Sequence, residues 1–327
     1  MKVGKIAVYV GIAFMVSICC NSTAYARQAV ASIKDANGWV QIERGNNPKK
    51  KLMGRVGLIL HEHDVIVTGS DSKTTILFRD GTEIRVFRKT RFEVRQSKES
   101  FTADGRNFIN RILLSFGSFW GKFVRGKQHT LIKTPTVTAG IKGTIAGFSE
   151  KEGRFSASLS SGAMEIGNED GSIDLMPGQM VTDVRRTGSI RDRISPLPYQ
   201  IEIWPKRQKI SLPKPKEQTS FYFTLQLKNA VSNENVNKPG AVYISSDSSR
   251  IAFPEKVRLN AEGYARIQAT VTPFSEKGHK NERLEIAAAM DSGDLLHVGA
   301  GRAIIEYDTP ATPRKVIKID GSSGKID

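Results

Sequence analysis

The chain has almost no cysteine: Cys19 and Cys20 are the only two in 327 residues, and both lie in an apolar N-terminal run. The body therefore holds no disulfide framework, no thiolate metal site and no sulfur nucleophile. Long apolar runs are as scarce, since beyond that first stretch none approaches the ~20 residues that carry a helix across a bilayer. Acidic residues are in deficit, 33 against 49 lysines and arginines, for a formal net charge of +16. What remains is ordinary for a folded chain: 39% apolar and 25% charged, too apolar for general disorder. At roughly 100 to 200 residues per domain, the length predicts two domains.

The N-terminus has the layout of a secretory leader. Lys2 and Lys5 precede the apolar stretch Ile6 to Cys20, and Ala24-Tyr25-Ala26 makes a small-x-small cleavage site. We expect a signal peptide over 1–26, cleaved after Ala26, a mature chain starting at Arg27, and a periplasmic or extracellular location with no transmembrane helix after leader removal. A small residue does not precede Cys19, so lipidation is not expected. An exported basic protein meets anionic envelope surfaces before it meets DNA. The expected partners are an envelope protein or an anionic polymer such as peptidoglycan or lipid headgroups, with no nucleic acid.

The body alternates with a period of two between turn signals, which predicts an all-β chain. Runs at Trp39 to Glu43, Asp64 to Val67, Thr74 to Phe78, Glu83 to Phe87, Arg91 to Val94 and Thr130 to Lys133 read as strands. Asp80-Gly81 between Ile76/Phe78 and Ile84/Val86 is a hairpin signal, because glycine accepts the positive φ of a tight turn. One stretch differs: Phe108, Ile109, Ile112, Leu113 and Phe116 fall at helical spacing, which predicts a short helix over 107–116. It covers one end of a β core or, with Phe119, Trp120 and Phe123, faces a membrane; the core reading carries more weight. Prolines 196 and 198 mark a linker over 188–198, and about seven further strands from Tyr199 to Tyr307 predict a β-sandwich over 199–308. Residues 309–327 read as a flexible tail.

No catalytic, cofactor or metal constellation emerges. Gly121, Gly126 and Lys127 have P-loop spacing, but Gln128 stands where magnesium needs Ser or Thr. His61 and His63 lack a third ligand, Ser70 and Lys73 lack the companion motifs of acylating enzymes, and the histidines pair with no hydrolase triad. The surface candidate is a basic strip, Arg85, Arg88, Lys89, Arg91 and Arg95, with Ile84, Val86, Phe92 and Val94 turned inward. Such a strip is more often a solvated face or edge guard than a binding site, yet it suits an anionic partner.

The stretch Thr134-Pro135-Thr136-Val137-Thr138-Ala139-Gly140-Ile141-Lys142-Gly143-Thr144 resembles the T-P-T-x-x-x-G-[VI]-[RK]-G-T signature of FecR-like domains. In the same order, Gly38-Trp39-Val40 resembles the family's opening strand. Asp64 to Gly69 resembles its G-D-x-I-x-T-G element, with His63 in place of the usual glycine. Phe78-Arg79-Asp80-Gly81-Thr82 resembles its hairpin, Gly117 to Trp120 its G-x-[LF]-W strand, and Leu175-Met176-Pro177-Gly178-Gln179 its closing L-x-x-G-Q. The resemblance implies a FecR-like β domain over 27–187 in which Thr134, Pro135, Thr136, Gly140, Gly143, Thr144, Asp80, Gly81 and Gly178 are structural. The second region resembles, more weakly, bacterial immunoglobulin-like repeats of the invasin type, carried by Phe223 to Ala230, Val257 to Ala265 and Leu284 to Ala288. Best-known FecR proteins pair a cytoplasmic anti-sigma segment with a periplasmic region that hears an outer-membrane iron transporter; this chain departs from that plan by opening on a leader. The expected function is a non-enzymatic binding or scaffold module of the bacterial cell envelope. The alternative is a periplasmic signalling module relaying an outer-membrane signal to a separate membrane regulator.

Overall fold

The computed structural model describes residues 28–102, 105–124, 129–211, 218–272, 282–291 and 297–308. The expected leader, the P-loop-like residues Gly126 and Lys127, and the expected tail lie outside the described residues.

The described chain is all β, apart from one 3-10 turn at Arg191–Arg193. Its first part is a fifteen-stranded sheet running from Ala29–Asn37 to Ile194–Pro196. Alternation explains it: Val40 and Ile42, Ile76 and Phe78, Ile84 and Val86, and Phe92 and Val94 all enter one core, each almost fully shielded from water. Phe119 is the centre of that core, stacked on Phe148 with ring centroids 4.7 Å apart and edge-on to Phe92 at 5.4 Å. Each such side chain contributes about 1.5–3 kcal/mol through burial. The Asp80-Gly81 hairpin forms as expected. Gly81 has φ 88°, and Asp80 Oδ1 accepts the Thr82 amide at 2.8 Å, fixing the turn between Lys73–Phe78 and Glu83–Val86.

The expected helix over 107–116 does not form; these residues belong to the eighteen-residue strand Gly105–Lys122. It pairs antiparallel with Arg91–Thr102 and parallel with His129–Lys133. Phe108, Asn110, Ile112 and Leu114 alternate inward, while Ile109 and Phe116 are exposed. The inward asparagine breaks the apolar alternation and leaves a spurious helical period. Its burial is compensated by Ser97 Oγ donating to its Oδ1 and its own amide donating to Asp80 Oδ2, both at 2.7 Å. Phe119, Trp120 and Phe123 are buried, so none of them is free to meet a membrane.

Residues 188–198, where a linker was expected, are tied to the first sheet. Ile194–Pro196 pairs with Gln179–Val184, Leu197 donates its amide to Gly178 O at 2.8 Å, and Ile190 enters the first core. From Tyr199 onward two five-stranded sheets face each other across a second core, which makes a β-sandwich. Ile201, Ile203, Phe223 and Leu225 come from one sheet, and Val242, Ile244, Ile286 and Ile305 from the other. That second core also contains Phe87, Trp120 and Ile145 from the first sheet, so the two units share apolar contact.

Candidate functional site

The Thr134–Thr144 signature builds a turn and a bulge. Thr134 Oγ1 accepts the amides of Thr136 and Val137 at 3.1 and 2.9 Å, closing the loop between His129–Lys133 and Thr138–Lys151. Pro135 suits this loop, since it needs no donor there. Thr136 Oγ1 donates to Glu150 Oε1 at 2.9 Å, and Thr144 Oγ1 donates to Ala163 O at 2.9 Å. Gly143 sits at a register shift against Arg154–Asn168 with φ 59°, the geometry that excludes a Cβ. Gly140 differs from expectation: its φ is not positive and a Cβ there would meet open space. His63, in the position the family fills with glycine, has φ 66°, which gives the glycine preference a physical cause. Asp64 is fully buried and accepts from Arg44 and from the amides of Gly45 and His61. Gly178 turns the closing element at φ 85°, with Gln179 Oε1 accepting the Met176 amide at 2.9 Å. His61 lies against Arg44 and Asp64, and His63 against Glu93 at 3.3 Å. Among the described residues no three His, Cys, Asp or Glu side chains gather as a metal site.

The basic strip is not one surface. Arg85 is 1% exposed and points away from the first core, into the joint with the second domain. Both faces of Glu83–Val86 are covered, Ile84 and Val86 by the first core and Glu83 and Arg85 by the sandwich, and a two-residue period cannot show this. Arg91 pairs with Glu43 at 2.8 Å and Arg95 with Glu93 at 3.5 Å. Arg88 and Lys89 are exposed, with no ion pair among the described residues.

The joint itself is the most organised polar feature of the described chain. Arg85 Nε donates to Asp291 Oδ1 at 2.7 Å, and its Nη1 donates to Thr75 Oγ1 at 2.6 Å and to Asp35 Oδ2 at 3.2 Å. Its guanidinium lies 4.2 Å from the centroid of the Tyr243 ring, a cation–π contact across the joint. Asp291 also takes an ion pair from Lys73, and Asp35 one from Lys256 at 2.9 Å. Lys34 bridges Glu83 at 3.1 Å and Glu255 at 2.8 Å. Burial opposes the charge on Lys34, but these carboxylates outweigh it and hold its pKa above the ordinary lysine value. Burial likewise opposes the Asp35 carboxylate, and Lys256 and Arg85 reverse it, keeping its pKa low. Tyr243 is held neutral, its pKa raised by burial and by Glu83. The sequence pattern shows none of this, because every ion-pair partner lies 49 to 221 residues from its mate along the chain.

Residues 64–165 match the family model described as FecR protein. No curated protein matches the chain. Among solved structures, a protein assigned provisionally as an anti-sigma factor from Parabacteroides distasonis aligns at 16% identity and a TM-score of 0.32, covering 38% of this chain. The chain spans 56% of the length of that structure. The PapD-like domain 7 of human CEP192 aligns at 12% identity over 34% of this chain and 86% of its own, with a TM-score of 0.27. A Porphyromonas gingivalis protein of unknown function aligns at 8% identity over 74% of this chain and 94% of its own, with a TM-score of 0.26. These likenesses are remote. No helix among the described residues is long and apolar enough to cross a membrane. The family match falls on the first sheet, from the buried Asp64 through the Thr134–Thr144 loop and bulge, so residues 64–165 are the part of this chain that matches the FecR family.

Proposed function

We propose that this chain is a non-enzymatic, exported signalling module of the bacterial cell envelope, whose FecR region relays an outer-membrane signal, of the iron-transport type, to a separate membrane regulator. The observation that carries the proposal is the placement of the FecR region against the sandwich. The joint is built largely of ion pairs, and among the described residues only Phe87, Trp120 and Ile145 reach the second core from the first unit. Polar joints between domains permit relative motion, while large apolar ones lock it. A protein partner that competes for the joint's charges can therefore change how the two domains meet, which suits a relay better than a passive scaffold. Arg88 and Lys89, the exposed part of the basic strip, offer a docking point on the FecR side.

In-cell crosslinking followed by co-purification tests this. We expect a membrane-embedded regulator protein to be captured, with the yield reduced by Arg88→Glu and Lys89→Glu together. Capture of peptidoglycan or structural outer-membrane components alone, unchanged by the charge reversal, overturns signalling in favour of a scaffold.

A further inference from the structure

Beside the ion-paired joint lies a cleft of about 450 Å³, lined by the end of the Gly105–Lys122 strand, the Gly143 bulge and the second-domain strands Glu282–Met290 and Gly301–Asp308. That volume suits a small molecule. Its donors and acceptors do not balance. Lys122 is 8% exposed, and its ammonium has neither a hydrogen bond nor an ion pair among the described residues. Ser161 Oγ and Arg302 Nε are buried in the same wall, and both lack a hydrogen-bond partner. The acidic groups of the cleft are engaged: Glu285 pairs with Arg302, Asp247 Oδ1 accepts the Glu285 amide at 2.8 Å, and Asp80 bonds Thr82 and Asn110. Buried polar groups are nearly always paired, and a charge is the costliest to leave alone. Burial pushes the Lys122 pKa down, the neighbouring carboxylates Glu83, Asp247 and Glu285 compensating only in part.

We propose that this cleft is a binding site for a small oxyanion ligand, whose carboxylate or phosphate group accepts hydrogen bonds from Lys122, Ser161 and Arg302 between the two domains. Glu83 Oε1, on the cross-strand neighbour of Lys122, is also unpartnered but does not line the cleft; among the groups that do, the surplus is of donors, so the missing group is an acceptor, and an ammonium and a guanidinium together call for a negative one. The site draws on both domains, so an occupant would hold them together. It concerns a small molecule and stands or falls separately from the capture of a protein partner.

Calorimetric titration of the full chain with inorganic phosphate, with glucuronate as a carboxylate-bearing sugar, and with glucose as the uncharged control tests the assignment and separates the two anion sources. We expect at least one anion to bind and glucose not to. Lys122→Met should weaken that binding at least tenfold while the ligand-free protein melts no lower than wild type, because the variant removes an unpaired buried charge. Ser161→Ala, a smaller change, should weaken it severalfold with the melting curve unmoved. Absence of binding by both anions overturns the site. So does equal binding of glucose, or undiminished anion binding by both variants.

Discussion

Asp291 is the keystone of the joint, and removing its carboxylate should do more damage than removing the arginine it faces. Asp291→Ala takes a counter-ion from both Arg85 and Lys73. Lys73 is partly solvated, with 27% of its side chain exposed, and can turn to water. Arg85, at 1%, cannot. Breaking a buried pair by removing one partner costs roughly 3–5 kcal/mol, and we expect about 3 here, since Asp35 stays 3.2 Å from Nη1 and the Tyr243 ring remains beneath the guanidinium. Arg85→Met leaves every acid a cation, Lys73 for Asp291 and Lys256 for Asp35, and it removes the unpartnered Nη2. It should cost about 1–2 kcal/mol, within the range of an ordinary buried substitution. The double variant should then be more stable than Asp291→Ala alone. Urea unfolding followed by tryptophan fluorescence reads the joint directly, because Trp120 is buried there against Tyr243 while Trp39 and Trp204 are exposed. A cost below 1 kcal/mol for Asp291→Ala, or a larger one for Arg85→Met, would refute the reasoning.

Three further outcomes are expected. Gly143→Val should lower stability by about 1–2 kcal/mol because of its φ of 59°, whereas Gly140→Val, in open space with no positive φ, should stay within ~0.5 kcal/mol; chemical denaturation of the pair decides it. His63→Gly should stabilise by up to about 1 kcal/mol through relief of the left-handed backbone, while His63→Ala should not, as paired melting curves would show. Asp35 has a depressed pKa when folded, so its contribution is present above about pH 4 and lost as the pH falls through the folded value; Asp35→Asn should flatten the loss of melting temperature in that acid window.

The strands and turns of this protein were legible because they rest on local rules. Ile76, Phe78, Ile84 and Val86 alternate around Asp80-Gly81, and the chain can satisfy that pattern only as a hairpin with one face inward. The Thr134–Thr144 loop was legible for the same reason: Thr134 serves amides two and three residues away, and the bulge needs a glycine at Gly143. The strand Gly105–Lys122 was not, because Asn110 occupies a core position that only Ser97 and Asp80 make acceptable. Gly140 carries the same residue type and signature as Gly143, yet only the register of the neighbouring strand decides which of the two takes the positive φ.

The candidate sites lay further still from the sequence. Local alternation places Arg85 on the face opposite Ile84 and Val86, and so it does; whether that face meets water or a second domain is not a local property. The sandwich supplies Asp291, 206 residues downstream, and turns an expected surface charge into a buried one. Lys122 is likewise one lysine among many in the sequence. Its isolation arises because the first sheet and the sandwich close over it, and a charge is paired or stranded according to what tertiary packing brings within a few ångströms of it.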